Sequence, residues 1–317
     1  MKGGGGQWTV VVASLVMVVV VLAAMPQPAQ AKAAKIPTDP RLAVLASCLN
    51  AVKLTGVRPE TCNKTVSDLV TVDVFEAMFN HRNDPTAHAQ GFWTFDSFMD
   101  AAKIYEPLGF GSIGGLDIQN RELAAFFAHV AHETSCGWSG AKDGPYAWGL
   151  CYNQELAPDQ LYCKESLLYP CVPGVGYQGR GALPVYWNYN YGPTGIALNA
   201  DLLHHPEILT NNATLAFQAA IWYWMTPALT RPSPHQIMIG EWQPTKNDTL
   251  AHRLPGFGMT INVIAGDVEC GHGEDPRMGD RIGTYQKFLT SWFGNGDPGE
   301  NIDCGLQGVV PLAYAAI

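Results

Sequence analysis

Ala128-His129-Val130-Ala131-His132-Glu133-Thr134-Ser135-Cys136-Gly137-Trp138 is the stretch on which the fold of this chain turns. Just upstream, Leu123, Phe126, Phe127 and Val130 recur at helical spacing, with Asn120 placed to cap and Glu122 in the first turn. A helix is therefore expected over Asn120–Glu133. Its last residue is Glu133, beside the carbonyls that a helix leaves unpaired at its C-terminus. Their partial negative charge and the apolar face before them disfavour ionisation of that carboxyl. A carboxylic acid that keeps its proton near neutral pH is the group needed to protonate a leaving oxygen.

Downstream, Cys136-Gly137 marks the end of the helix, and from Gly137 to Gly192 Gly, Pro, Tyr, Trp and Asn replace the periodic apolar residues. Loops and short turns are expected there, in the kind of segment where function concentrates. Trp148-Gly149-Leu150-Cys151-Tyr152 leads to Glu155, in a loop tied down by a cysteine, where solvent keeps a carboxylate ionised. Two carboxyls of opposed protonation state are what glycoside hydrolysis requires, and a wide gap between them leaves room for a water and an inverting outcome. Two glutamates among 28 acidic residues are also what an ordinary surface carries. Other helices are expected at Val74–Asn80, Phe95–Tyr105, Ala213–Met225 and Asp280–Phe293, with Leu215, Ala219, Trp222 and Met225 turned to a core. The fold class is thus mainly α, with long irregular loops.

The ends of the chain speak to compartment. Met1–Gln7 holds one lysine, Trp8–Met25 is almost wholly apolar, and Ala29-Gln30-Ala31 follows two prolines. This describes a secretory signal peptide over 1–31, cleaved after Ala31, with a retained signal anchor as the other reading. Residues 32–66 then read as a short polar lead-in, 67–306 as one large domain, and 307–317 as an apolar tail. Eight cysteines follow the signal, an even count that reads as disulfides in an exported chain. Cys163 with Cys171, and Cys48 with Cys62, are close enough for local pairs. Asn63, Asn212 and Asn247 begin glycosylation sequons. The expected location is extracellular or cell wall, with Golgi lumen and vacuole as alternatives.

The net charge of −9 argues against a nucleic-acid partner, which needs clustered Lys and Arg. No second apolar run is long enough for a membrane, and a monomer with a neutral substrate is expected. His129, His132 and Glu133 stand at i, i+3 and i+4, so a shared metal site is a rival reading of the same stretch. The order His-x-x-His-Glu is not that of a zinc protease, and no Cys-x-x-Cys pair exists. No metal and no cofactor are expected.

Taken together, the opening stretch resembles the H-E-T-x-G-G-W signature of glycoside hydrolase family 19 chitinases. Tyr146-Ala147-Trp148-Gly149-Leu150-Cys151-Tyr152-Asn153-Gln154-Glu155 is similar to the family stretch ending in its second catalytic glutamate, and Asn188-Tyr189-Asn190-Tyr191-Gly192-Pro193 to its N-Y-N-Y-G-P. Phe257-Gly258, Glu269-Cys270-Gly271-His272-Gly273 and Asp280-Arg281-Ile282-Gly283 resemble its C-terminal blocks. The resemblance runs from about Thr71 to Cys304. It implies a lysozyme-like two-lobed fold with a cleft for β-1,4-linked N-acetylglucosamine chains. It further implies Glu133 as general acid and Glu155 as general base, with His132, Trp148, Tyr162, Tyr189, Asn190, Glu269 and Arg281 binding or supporting substrate. Tyr189 reads equally as core, and Glu269 with Arg281 as a structural ion pair.

Three departures from the family pattern stand out. Where it has G-R-G-P-I-Q-L-S/T, this chain has Gly179-Arg180-Gly181-Ala182-Leu183-Pro184-Val185-Tyr186. Pro184 replaces a sugar-binding glutamine, and Tyr186 replaces the hydroxyl residue that helps hold the attacking water. Ala265 stands where the family often has a sugar-binding asparagine. Loss of one positioned transition-state contact costs about 2–4 kcal/mol. The usual partner of Cys151 is missing around Ala87, while Cys136 replaces a glycine, so, set against the family pattern, Cys136–Cys151 is expected, with Cys48–Cys62, Cys163–Cys171 and Cys270–Cys304 as the other expected pairs among the 105 arrangements that eight cysteines allow. Such changes resemble the chitinase-like subgroup associated with wall assembly. Two readings emerge: a slowed inverting chitinase, or a wall polysaccharide-binding protein without useful turnover on chitin oligomers or glucan.

Overall fold

Hydroxyl, amide and carboxylate side chains open most of the helices. Asp39, Thr65, Thr71, Thr94, Asn212, Ser233, Thr245 and Asp275 each accept a backbone N–H of the first turn. Each such cap is worth about 1 kcal/mol over alanine. The computed structural model describes residues 39–311 except 57, 60, 229, 230 and 295. The proposed signal segment 1–31 and the end of the apolar tail, from 312, lie outside the described residues.

The helices in chain order are α1 (Pro40–Thr55), α2 (Val66–Leu69), α3 (Val72–Met78), α4 (Phe95–Tyr105), α5 (Leu116–Glu133) and α6 (Asn188–Leu198). After these come α7 (Ile208–Asn211), α8 (Ala213–Met225), α9 (Pro234–Met238), α10 (Lys246–Leu250), α11 (Phe257–Glu269) and α12 (Pro276–Ser291). Among the described residues extended pairing is limited to the isolated bridges Gln154–Arg180, Arg180–Val185 and Ala228–Arg231. The segment between α5 and α6 is irregular apart from one short 3₁₀ turn, Pro145–Ala147.

Helix α5 starts at Leu116, four residues before the Asn120 cap expected from local pattern. Gly115 precedes it at φ 86°, a conformation that favours glycine, and Asn120 is buried inside the helix. Long-range contacts hold the extra turn: Gln119 Nε2 donates to Lys64 O and Gly111 O, both at 2.7 Å, and Glu122 accepts from Gly111 N at 3.0 Å. Helix α12 likewise starts at the Asp275 cap rather than at Asp280, and it ends at Ser291. Part of the 32–66 lead-in is helical, as α1.

In the main core α5 packs on α12 and α4 on α8. It is built of tilted and edge-to-face aromatics, with Phe98 and Phe127 ring centroids 4.8 Å apart and Phe126 and Trp224 5.5 Å apart. Of the face expected for α8 only Ala219 is fully buried, whereas Phe217, Ile221 and Trp224 are. Leu215, Trp222 and Met225 are partly covered. Trp224 turns inward because Glu122, itself buried, accepts its Nε1–H at 3.1 Å and also pairs with His235 Nδ1 at 2.5 Å. A smaller cluster of Tyr177, Val185, Tyr191, Leu202 and Leu209 underlies the loop region and α6.

Four disulfides brace the chain: Cys48–Cys62, Cys136–Cys151, Cys163–Cys171 and Cys270–Cys304. With its ends 15 positions apart in sequence, the Cys136–Cys151 bridge closes the segment that leaves α5. No described helix is long and apolar enough to cross a membrane.

Candidate active site

Thr134 ends α5 and sets the direction of the chain beyond it. Its Oγ1 donates to Val130 O at 2.6 Å and accepts from Leu150 N at 2.7 Å, and its carbonyl takes the N–H groups of Cys151 and Tyr152, each at 3.0 Å. The strand-like run after Leu150 is thereby pinned to the end of the helix that carries Glu133, and the Cys136–Cys151 disulfide locks the same junction. Gly149 permits this approach: a Cβ there would stand 2.8 Å from Ala131 Cα. Further along, Glu155 N donates to Gly179 O at 2.8 Å and Gly181 N to Asn153 O at 2.9 Å. Glu155 is thus fixed through its backbone to the Gly179–Gly181 turn.

The two glutamates line one cleft of about 310 Å³, together with Tyr152, Gln154, Pro184 and Tyr186. Tyr152 and Gln154 fall within the stretch that resembles the family's, but sequence reasoning singled out neither as a site residue. They reach the cleft because the Thr134 clamp and the Gln154–Arg180 bridge turn that segment toward it.

Glu133 departs from the expectation that it keeps its proton. Burial raises its pKa, but the charge of Arg281, then that of His132, outweighs burial and holds the carboxyl below its ordinary value. The cause is tertiary: Arg281 comes from α12 and its Nη2 donates to Glu133 Oε1 at 2.5 Å. The same guanidinium holds Glu269 through Nε at 2.9 Å and Nη2 at 2.9 Å. Arg281 and Glu269 are both about 2% exposed, so a buried cation is shared between two carboxylates. Two anionic neighbours push the arginine pKa further up against the effect of burial.

Glu155 is also less open than its loop implied. Its Oε1 accepts from Tyr162 Oη at 3.0 Å, while Oε2 is enclosed and meets no protein donor. Burial first, then the bond and charge of Glu155, lift the Tyr162 hydroxyl to about 12.

His132 faces Asp280, with Nδ1 and Oδ2 2.6 Å apart, and its Nε2 lies 4.0 Å from Glu269 Oε1. Asp280 carries no mark of its own in the sequence beyond opening the Asp280-Arg281-Ile282-Gly283 block. Tyr189 stacks on Trp187 at 5.7 Å, and exposed Asn190 donates Nδ2 to Tyr186 O at 2.8 Å. Trp148, expected among the substrate-binding residues, does not line this cleft. It is 5% exposed, stacks on His81 at 4.2 Å and donates Nε1 to Lys142 O at 2.9 Å. Its side of the loop is turned inward by the disulfide-closed segment.

His129 does not join a metal triad. It is fully buried, its Nδ1 accepts from Arg281 Nη1 at 3.1 Å and its Nε2 meets Thr260 Oγ1 at 2.9 Å. Burial and then Arg281 hold it well below the ordinary histidine pKa, as a neutral ring. Among the described residues no group of three or more His, Cys, Asp or Glu is arranged to hold a metal ion. Ala265 marks a kink in α11, at φ −139° and ψ 26°, just ahead of Glu269.

A mainly helical frame, braced by disulfides and carrying two glutamates on one cleft, is a lysozyme-like fold of the chitinase type. The chain belongs to glycoside hydrolase family 19: the family described as Chitinase class I matches residues 69–304. It is 54% identical over 253 residues to chitinase-like protein 2 of Arabidopsis thaliana, spanning 78% of this chain and 76% of that one. It is 45% identical to endochitinase CH25 of Brassica napus, over 78% and 76% of the two chains. To the inactive chitinase-like protein 1 of Hevea brasiliensis it is 46% identical, over 75% of each. The crystal structure of the class IV chitinase from Zea mays superposes with a TM-score of 0.55 at 33% identity, covering 72% of this chain and 96% of that one.

Proposed function

We propose that this chain is a secreted, monomeric hydrolase that cleaves β-1,4-linked N-acetylglucosamine polymers with inversion, at a reduced rate. The observation that carries this reading is that Glu133 and Glu155 line the same cleft, from two segments tied at Thr134 and at Cys136–Cys151. In this reading Glu155 takes a proton from water as the water oxygen bonds to the anomeric carbon. Glu133 gives its proton to the glycosidic oxygen as that bond breaks. Arg281 and Glu269 orient Glu133, Tyr162 orients Glu155, and His132, Tyr189 and Asn190 support the sugar. Because Arg281 favours the ionised form of Glu133, the acid is loaded more readily at acidic pH.

A second reading, a non-hydrolytic protein that grips chitin oligomers or wall glucan, is favoured by Pro184 and Tyr186 lining the cleft. Reducing-end release from chitin oligomers by the purified protein and by Glu133→Gln separates the two. A much slower E133Q supports the hydrolase; equal rates, with oligomer binding kept in both, leave the binding protein. Chelator treatment is expected to leave both turnover and binding unchanged.

A further inference from the structure

We propose that Tyr186, together with Tyr162, forms an aromatic cover over Glu155 that restricts water at that carboxylate and so throttles hydrolysis in this chain. The throttle rests on the reading of Glu155 as the base; the cover itself does not.

Two contacts hold Glu155, and Tyr186 packs against the partner in each. The phenol of Tyr186 lies against Gly179 so closely that a Cβ at Gly179 would stand 2.3 Å from Tyr186 Cζ and 2.5 Å from its Oη. Gly179 is the residue whose carbonyl holds Glu155 N at 2.8 Å, so the phenol sits at the anchor of the carboxylate's own backbone. From the other side Tyr162 donates to Glu155 Oε1, and the Tyr162 and Tyr186 rings are 5.2 Å apart at 54°. Oε2 of Glu155 is enclosed and meets no protein donor. A buried carboxylate oxygen ordinarily has a partner, so the enclosure needs a cause. The two tyrosine rings supply it.

The cover is held in place. Tyr186 O accepts from Asn190 Nδ2 at 2.8 Å, and the preceding residue, Val185, is paired with Arg180 in an antiparallel bridge. Trp187 comes next at φ 71°, and its ring meets Tyr162 edge-on at 5.5 Å. These contacts fix the Tyr186 backbone at the start of α6, and the phenol itself packs between Gly179 and the Tyr162 ring. Burial and the charges of Glu133 and Glu155 also keep it neutral, so it blocks by shape and not by competing charge. Tyr186 acts here as a positioning residue, through what it allows to reach Glu155.

The test uses the full secreted chain. Solvent access to Glu155 is read by carbodiimide coupling of glycinamide to carboxyls, followed by peptide mass spectrometry, in wild type, Tyr186→Phe, Tyr186→Ser and Tyr186→Thr. Two small hydroxyl replacements guard against a folding failure in one, and each variant is checked by its Tm. Labelling of Glu155 is expected to rise severalfold in Y186S and Y186T and to stay low in Y186F. Turnover of N-acetylglucosamine hexamer that E155Q abolishes should rise in the same two variants. Equal Glu155 labelling in all four proteins, alongside E155Q-sensitive turnover, overturns the cover alone. Raised labelling without any E155Q-sensitive turnover overturns the throttle and the hydrolase reading together.

Discussion

Arg281 Nη2 stands 2.5 Å from Glu133 Oε1, so the carboxylate that ends α5 meets a buried cation from α12. Against burial, which raises its pKa, that cation together with the charge of His132 holds the Glu133 carboxyl below its ordinary value, opposite to the direction expected from the helix terminus. The contact also makes the candidate acid hostage to a second glutamate, because Glu269 competes for the same guanidinium.

The pH profile of kcat/KM should reflect this contact. A lowered Glu133 pKa means that the protonated fraction falls as pH rises through an acidic value, so kcat/KM on chitin oligomers is expected to decline from acid toward neutral pH. Arg281→Lys, which loses the forked geometry, should move that limb to higher pH and lower Tm. A limb that stays put in R281K would separate Arg281 from the titration of the acid.

Removing the Cys136–Cys151 bridge by a double serine substitution should cost about 3 kcal/mol, the value for a loop of this length, read from urea unfolding. It should also lower turnover more than oligomer binding, because the bridge braces the junction between the two glutamate-bearing segments.

Stability should rise with pH across the acid range. His129 is held below its unfolded pKa, so below about pH 6.5 the unfolded chain binds more protons and the fold loses free energy as pH falls. Glu133, also lowered, adds a loss of the same sign as pH falls through its folded value. Denaturant midpoints measured from pH 8 to pH 4 should fall steadily, and less steeply between 7 and 5 in His129→Gln.

Glycosylation should be selective. Asn212 and Asn247 are exposed, and the Asn212 side chain uses only its oxygen, as the cap of α8. Asn63 instead donates its Nδ2, the atom that would carry a glycan, to Ser112 O at 3.0 Å. Glycopeptide mapping of the protein expressed through a eukaryotic secretory pathway is expected to find sugar at Asn212 and Asn247 and not at Asn63.

Much of this was legible in the chain. The bounds of α4 and α8 were located to the residue, because their caps, Thr94 and Asn212, are local features, whereas the buried face of α8 was misread, Phe217, Ile221 and Trp224 taking the place of Leu215, Trp222 and Met225. Periodicity misplaced the start of α5, because Gln119 and Glu122 find their partners near Gly111 and Lys64, outside the helix. The Glu133 stretch and the Glu155 stretch marked, by residue type and order, two glutamates that the structure brings to one cleft. Trp148 carried the same kind of mark and turned out to be packed on His81.

The amino-acid order by itself determined the helices whose caps and apolar spacing are local, such as α4 and α8, and which residues carry carboxyls, rings and thiols, since capping is decided over a few neighbouring residues; α6, which opens at Asn188 inside the expected loop region, was not legible in it. The folded structure decided everything that depends on distance through space: the cation beside Glu133, the tyrosines over Glu155 and the inward turn of Trp148. Charge and burial act between residues more than a hundred positions apart, such as Glu133 and Arg281, and only the packing of α5 against α12 brings them into range.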